Sequence, residues 1–227
     1  MSKNFKPILI VAGDPKSVFL ELFFKTLKKF KKNQIILIAN KRLIIDQLKL
    51  LKMSYPIQTL NIKKKINYKS LDNKKINLID VPLVYKNFEK IKLKNTNTYI
   101  KKCFDLAINL LNSDKRLQLI NGPIVKKNFL KKKFLGITEY LGSKYNIANK
   151  VVMLIYNKNI SVCPITTHVP LKNVHKIISK NRIVNHVEKI NRFYKKRFNK
   201  LPSFAVTGLN PHCESISNIN EEDKIIK

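Results

Sequence analysis

An α/β fold with a largely parallel sheet is the class this sequence predicts. Short apolar runs alternate with amphipathic stretches, and Gly, Pro and Asn punctuate the joins. Hydrophobic residues make up 44% of the 227, enough for a sizeable core and too many for wholesale disorder. At roughly 100–200 residues per domain, one large domain or two small ones are expected.

The elements follow in order. Pro7–Ala12 (PILIVA) reads as a first strand stopped by Gly13-Asp14-Pro15. The same run does not end in a small-residue cleavage site, so it is not read as a signal peptide. Val18–Phe30 carries apolar residues at Phe19, Leu22, Phe23, Leu27 and Phe30, a helical spacing. Gln34–Ala39 is a second buried strand and Leu43–Leu51 a second helix. Residues 54–95 give only short apolar pieces, such as Ile76–Val81, between Lys- and Asn-rich stretches. Thr98–Leu111 is an amphipathic helix, and Leu117–Ile120 a strand ending at Asn121-Gly122-Pro123. Helices are expected near Lys126–Lys132 and Thr138–Tyr145. Val151–Tyr156 and Ile160–Pro164 are expected to pair across a turn at Asn157-Lys158-Asn159. Pro170–Ser179 is a helix with Pro at its first position, where the missing N–H costs nothing. Ile183–Phe198 is a longer helix, and Ser203–Thr207 a last strand before Gly208.

The formal charge is +32, from 46 Lys and Arg against 14 Asp and Glu. Such a chain attracts any polyanion. Only five of the basic residues are Arg (42, 116, 182, 192 and 197), whereas readers of bases and phosphates lean on its bidentate fork. The Lys residues are spread along the chain with Ile and Asn, the set that A/T-rich codons specify. Nucleic-acid contact is therefore expected to be non-specific, through Lys charge. No apolar run reaches the roughly 18–20 residues that span a bilayer. Three widely spaced cysteines (Cys103, Cys163, Cys213) suggest reduced thiols in a cytoplasmic protein, with no CxxC pair for zinc.

In parallel sheets, ligands bind beyond the carboxyl ends of strands. Those ends carry Gly13-Asp14-Pro15, Asn121-Gly122-Pro123, Thr166-Thr167-His168 and Gly208-Leu209-Asn210-Pro211-His212. Glycine is scarce, with only five in the chain, so Gly13, Gly122 and Gly208 are expected where backbone must bend or approach closely. His168 and His212 both follow predicted strands, and converging imidazoles can hold a divalent metal. They lack a local HxxxH-type motif, so packing roles remain open for each. His175 and His186 fall on predicted helices and read as surface or packing residues. Asp14 reads as a cap for the helix beginning near Ser17.

Taken in order, Ala12-Gly13-Asp14-Pro15, Asn121-Gly122-Pro123-Ile124-Val125-Lys126 and Gly136-Ile137-Thr138-Glu139-Tyr140-Leu141 open a series. It continues through Lys150-Val151-Val152-Met153-Leu154, Thr166-Thr167-His168-Val169-Pro170-Leu171 and Gly208-Leu209-Asn210-Pro211-His212. This series resembles the 4-hydroxythreonine-4-phosphate dehydrogenases of pyridoxal phosphate (vitamin B6) biosynthesis. It extends over almost the whole chain and is weakest across 54–95. The resemblance implies an α/β/α layered fold like the isocitrate and isopropylmalate dehydrogenases, incomplete at the C-terminus. Residues 1–227 would form a partial two-domain unit with an interdomain cleft and a boundary near 120–140. It further implies a homodimer that oxidises a phosphorylated hydroxy amino acid with NAD or NADP and releases CO2 with a divalent metal (Zn, Mg or Co). His168 and His212 would be two of three metal ligands, and Thr138 would contact the substrate phosphate. No residue is assigned as catalytic or as a nucleotide contact. The chain departs from the family at Val125 and Ile137, where members carry His. Family members also continue beyond Lys227, where the third metal His and further substrate contacts would lie. The expected alternatives are an inactive member or fragment of that family, or a Lys-rich polyanion-binding protein.

Overall fold

The computed structural model describes residues 7–30, 34–62, 66–72, 74–130, 133–134, 136–145, 151–210, 212–213 and 222–226. The chain folds as two compact units, Met1–Phe134 and Leu135–Lys227.

The first unit contains β1 (Ile8–Val11), α1 (Phe19–Leu27), β2 (Ile35–Ala39), α2 (Lys41–Leu50), β3 (Ile57–Thr59), β4 (Ile76–Asp80), α3 (Leu93–Ser113), β5 (Gln118–Asn121) and the one-turn α4 (Lys126–Phe129). Its five strands form one sheet in the order β3-β4-β2-β1-β5, and every pairing is parallel. Ile8 stands opposite both Ile35 and Gln118, and Leu37 opposite Leu78. All five residues of β2 are buried, as expected for a central strand covered on both faces. The connection through α1 runs from β1 toward β2, and that through α3 returns from β4 to β5. Right-handed crossovers in opposite directions place these helices on opposite faces of the sheet.

Helix α1 buries Leu20, Phe23, Phe24 and Leu27. Helix α2 starts at a true cap, because the Asn40 side chain accepts from the Leu43 N–H. Helix α3 buries Tyr99, Ile100, Cys103, Phe104, Ala107 and Ile108 along one stripe, and packs against β1, β2 and β5. The Tyr99 hydroxyl accepts from the Asn40 N–H at 3.1 Å, tying α3 to the exit of β2. Burial pushes the Cys103 thiol up to about 12, which makes it an inert core group.

The helix expected at Lys126–Lys132 is shorter, Lys126–Phe129, and Lys131 and Lys132 lie outside the described residues. The difficult stretch 54–95 supplies β4 and the three-residue β3. β3 is an edge strand with no fully buried residue, so it carries little hydrophobic signal. Asp14 does not cap α1. The helix begins at Phe19, and Asp14 Oδ1 accepts from the Lys16 N–H at 2.9 Å in a tight local turn.

The second unit holds α5 (Ile137–Lys144), α6 (Leu171–Ile177) and α7 (Lys180–Phe198). α7 is capped by Ser179, whose hydroxyl accepts from the Arg182 N–H, and ends at Asn199 in the left-handed region. Its buried face is Ile183, His186 and Ile190. The expected hairpin is present as a single antiparallel pair, Ile155 with Val162, joined by reciprocal backbone bonds of 2.8 and 2.9 Å. The Asn157 side chain closes the turn by accepting from the Asn159 N–H. Among the described residues, Ser203–Thr207 forms no strand, contrary to expectation. Its residues are exposed and no described neighbour pairs with their backbone. A single strand without a ladder partner has no means of satisfying its backbone groups except water.

Candidate functional site

Two sets of residues were expected to carry function, and the structure gives them different roles. In the first unit, the exits of β1 and β5 interlock. The Asp14 N–H donates to the Pro123 carbonyl at 2.8 Å, and the Gly122 N–H donates to the Val11 carbonyl at 2.7 Å. Gly13 has φ +79, and a Cβ there would lie 2.4 Å from the Pro123 oxygen. A Cβ on Gly122 would lie 2.2 Å from the Ala12 oxygen. Both glycines are needed for backbone-on-backbone packing.

The second unit contains Thr138, His168 and His212. α5 starts from Gly136 in extended conformation, with Thr138 half-buried in its first turn. Glu139, in the same turn, accepts a hydrogen bond from the Thr167 hydroxyl at 3.2 Å. The other Glu139 oxygen lies 2.7 Å from where a Cβ on Gly136 would stand, and His168 Nε2 lies 3.9 Å from that point. The absence of a side chain at 136 thus leaves room for a carboxylate and an imidazole around the start of α5. His168 itself is exposed and sits at φ +57, a sparsely populated backbone region for a non-glycine residue. The Thr138 turn and the His168 loop are therefore joined through Glu139 and Thr167. Sequence reading overlooked that bond because Glu139 in a first helical turn already has a local explanation in the helix dipole.

His212 is exposed on the loop after Gly208. Asn210 anchors that loop, donating from its backbone N–H to Glu222 Oε1 at 2.7 Å. Cys213, at φ +53, turns back so closely that a Cβ on Gly208 would strike its sulfur. Lys150 and Pro211 of the motif series, and residues 214–218, lie outside the described residues. His175 is exposed, and His186 is buried with its Nδ1–H donating to the Arg182 carbonyl at 2.8 Å. Both fit the surface and packing roles expected of them. Desolvation lowers the His186 pKa below its ordinary value.

His168 and His212 are accessible imidazoles on loops, suited by type to zinc or a similar ion. Among the described residues, however, no group of three His, Cys, Asp or Glu converges to hold one. Two imidazoles fall short of the three protein ligands of a catalytic zinc site. No described helix is long and apolar enough to cross a membrane.

Fold and loops together define a class: an α/β protein whose second unit presents a Thr-Thr-His loop beside a Gly-Ile-Thr-Glu helix start. The chain belongs to the family described as pyridoxal phosphate biosynthetic protein PdxA, whose family model matches residues 31–227. A 4-hydroxythreonine-4-phosphate dehydrogenase of Sulfurihydrogenibium sp. is 43% identical over 81 residues, 35% of this chain and 25% of that relative. The matched stretch thus spans a quarter of that relative's length. A crystal structure of a 4-hydroxythreonine-4-phosphate dehydrogenase from Burkholderia phymatum superposes with a TM-score of 0.78 at 19% identity, covering 98% of this chain and 68% of that one. A putative 4-hydroxythreonine-4-phosphate dehydrogenase from Salmonella typhimurium gives a TM-score of 0.76 at 20% identity, covering 97% and 69%. At such identities the superpositions speak for the fold.

Proposed function

We propose that this chain serves as a 4-hydroxythreonine-4-phosphate dehydrogenase in vitamin B6 biosynthesis. The reaction is NAD- or NADP-dependent oxidation of the substrate's secondary alcohol, followed by loss of CO2. The observation that supports it is the meeting of the Thr138 turn with the His168 loop through Glu139 and Thr167. In this reading the Thr138 hydroxyl, with N–H groups of the first turn of α5, binds the substrate phosphate. The Glu139–Thr167 bond holds the His168 loop against that turn, and His168 and His212 face the metal. Since the described donors do not complete a metal site, no chemical step is routed through it. The reading extends to a cytoplasmic homodimer with a cleft between its two domains.

The purified chain should reduce NAD or NADP when given 4-hydroxythreonine 4-phosphate and Zn2+, Mg2+ or Co2+. A folded sample that shows no turnover under any of these combinations would refute the activity.

A second reading is favoured by the incomplete donor set and by Ile137 and Val125, whose side chains cannot donate or accept hydrogen bonds. In that reading the chain is an inactive member of the family. Equilibrium dialysis separates the two: an active chain retains a stoichiometric divalent ion, and loses it in His168→Ala and His212→Ala.

A further inference from the structure

Arginine is the anomaly in this composition, and its placement is informative. Of only five arginines, three lie on α7, at 182, 192 and 197. Arg42 and Arg116 serve the fold of the first unit: Arg42 bonds the Tyr85 and Lys86 carbonyls, and Arg116 pairs with Asp114. Arg182 donates to the Ile165 carbonyl. Arg192 and Arg197 are exposed, and their side chains make no hydrogen bond or ion pair among the described residues. In a chain whose basic residues are nearly all Lys, these two arginines stand where the fold does not use their side chains.

Those two flank an aromatic patch. Phe193 and Tyr156 are 45% and 49% exposed. Tyr156 stacks on Phe198 with centroids 5.2 Å apart and planes 14° from parallel, and Phe193 meets Phe198 edge-on at 5.7 Å. A groove of about 420 Å³ runs between the hairpin and α7, lined by Val152, Leu154, Tyr156, Lys189, Ile190 and Phe193. On the helix, Phe193 has Lys189 four residues before it and Lys196 and Arg197 three and four after, so cations surround the ring. Residues 180–200 hold eight Lys or Arg against the single Glu188.

We propose that the Tyr156–Phe193 groove and the basic face of α7 bind single-stranded nucleic acid. The exposed rings offer stacking faces for unpaired bases, and Lys189, Arg192, Lys196 and Arg197 follow the phosphates. Three arguments select this partner. Ile183, His186 and Ile190 of α7 are buried in its own unit, and exposed Val184 and Phe193 alone are too little apolar face to lie in a lipid interface. Duplex bases are stacked away from such rings. An acidic peptide would use the charge and leave the flat aromatic faces without a partner. Scattered Lys charge, by contrast, predicts no dependence on Tyr156 or Phe193 at all.

The test is fluorescence anisotropy of the full chain with a labelled single-stranded oligo-U, its duplex form, and heparin, across a salt series. The expected result is single-strand binding that persists at about 0.15 M salt and exceeds duplex and heparin binding. Phe193→Ala and Tyr156→Ala should each weaken it about tenfold. The pair Arg192→Gln with Arg197→Gln should reduce the salt slope by about 1.4, at roughly 0.7 per phosphate contact on a single strand. Lys49→Gln with Lys94→Gln, equal in charge and remote in sequence, should leave both unchanged. The arginine pair is exposed and keeps the test decisive if an aromatic variant misfolds. Binding that follows total charge alone, that heparin matches, or that both variant sets leave intact would overturn the proposal. So would a response of the aromatic variants confined to self-association.

Discussion

Gly122 and His186 show how much single residues decide here. Gly122 faces the Ala12 carbonyl so closely that an added methyl must move backbone, which cannot rotate away as a side chain can. Gly122→Ala should therefore destabilise the first unit by about 2–3 kcal/mol in urea unfolding. A cost under about 0.5 kcal/mol would show that the strand exits are not interlocked. His186 has its pKa depressed by burial, so the unfolded chain takes up its proton more readily than the folded one. Stability from its burial is fully present above the unfolded value near 6.5 and is lost as pH falls from there through the lower folded value. The melting temperature should drop between about pH 7.5 and pH 5, and His186→Gln should flatten part of that slope. The three cysteines differ in the same physical terms. Exposed Cys213 should react first with a thiol reagent, and Cys103, its pKa raised by burial, only on unfolding. Early labelling of Cys103 would contradict the packing of α3.

At the scale of elements, the legible parts of the sequence were those with a strong period or a capped start. β1, β2, α2, α3 and α7 stand close to where periodicity puts them, because each buries a stripe or run, while α6 follows its leading Pro170 and buries no residue. β3 was illegible because an edge strand of three half-exposed residues carries no alternation to read. Ser203–Thr207 misled in the other direction: its apolar, β-branched composition is that of a strand, but a strand exists only through its partners. Thr138, His168 and His212 were legible only as candidates, by motif. The bond that joins the first two was not, since nothing in spacing links Glu139 with Thr167. That bond makes an element-level prediction. Thr167→Val should detach the loop from α5 and speed proteolysis or hydrogen exchange at 165–169, while Thr167→Ser preserves the hydroxyl and the protection. Equal exchange in both variants would mean the bond does not hold the loop.

For the molecule as a whole, family and fold are settled by agreement between a family model over 31–227 and superpositions covering nearly all of the chain. Chemistry is a separate question, because a shared fold does not fix the groups at its loops. Here the loops hold Thr138, His168 and His212, while positions 125 and 137 are apolar Val and Ile. Binding of a phosphorylated substrate and turnover can therefore separate. Calorimetry with 4-hydroxythreonine 4-phosphate should report binding that Thr138→Val weakens about tenfold, the scale of one charge-assisted hydrogen bond. An unchanged affinity would remove Thr138 from the phosphate site.

The hairpin of the second unit carries one last consequence. Val152, Leu154 and Tyr156 turn toward α7, so the alternate residues Met153, Ile155 and Val162 turn outward, 42%, 54% and 55% exposed. Mutual repulsion between molecules of formal charge +32 opposes contact between such surfaces. The protein is thus a charge-stabilised colloid with an adhesive spot. Raising salt should cloud it where most proteins clear, and placing Lys at 153 and 162 should keep it transparent.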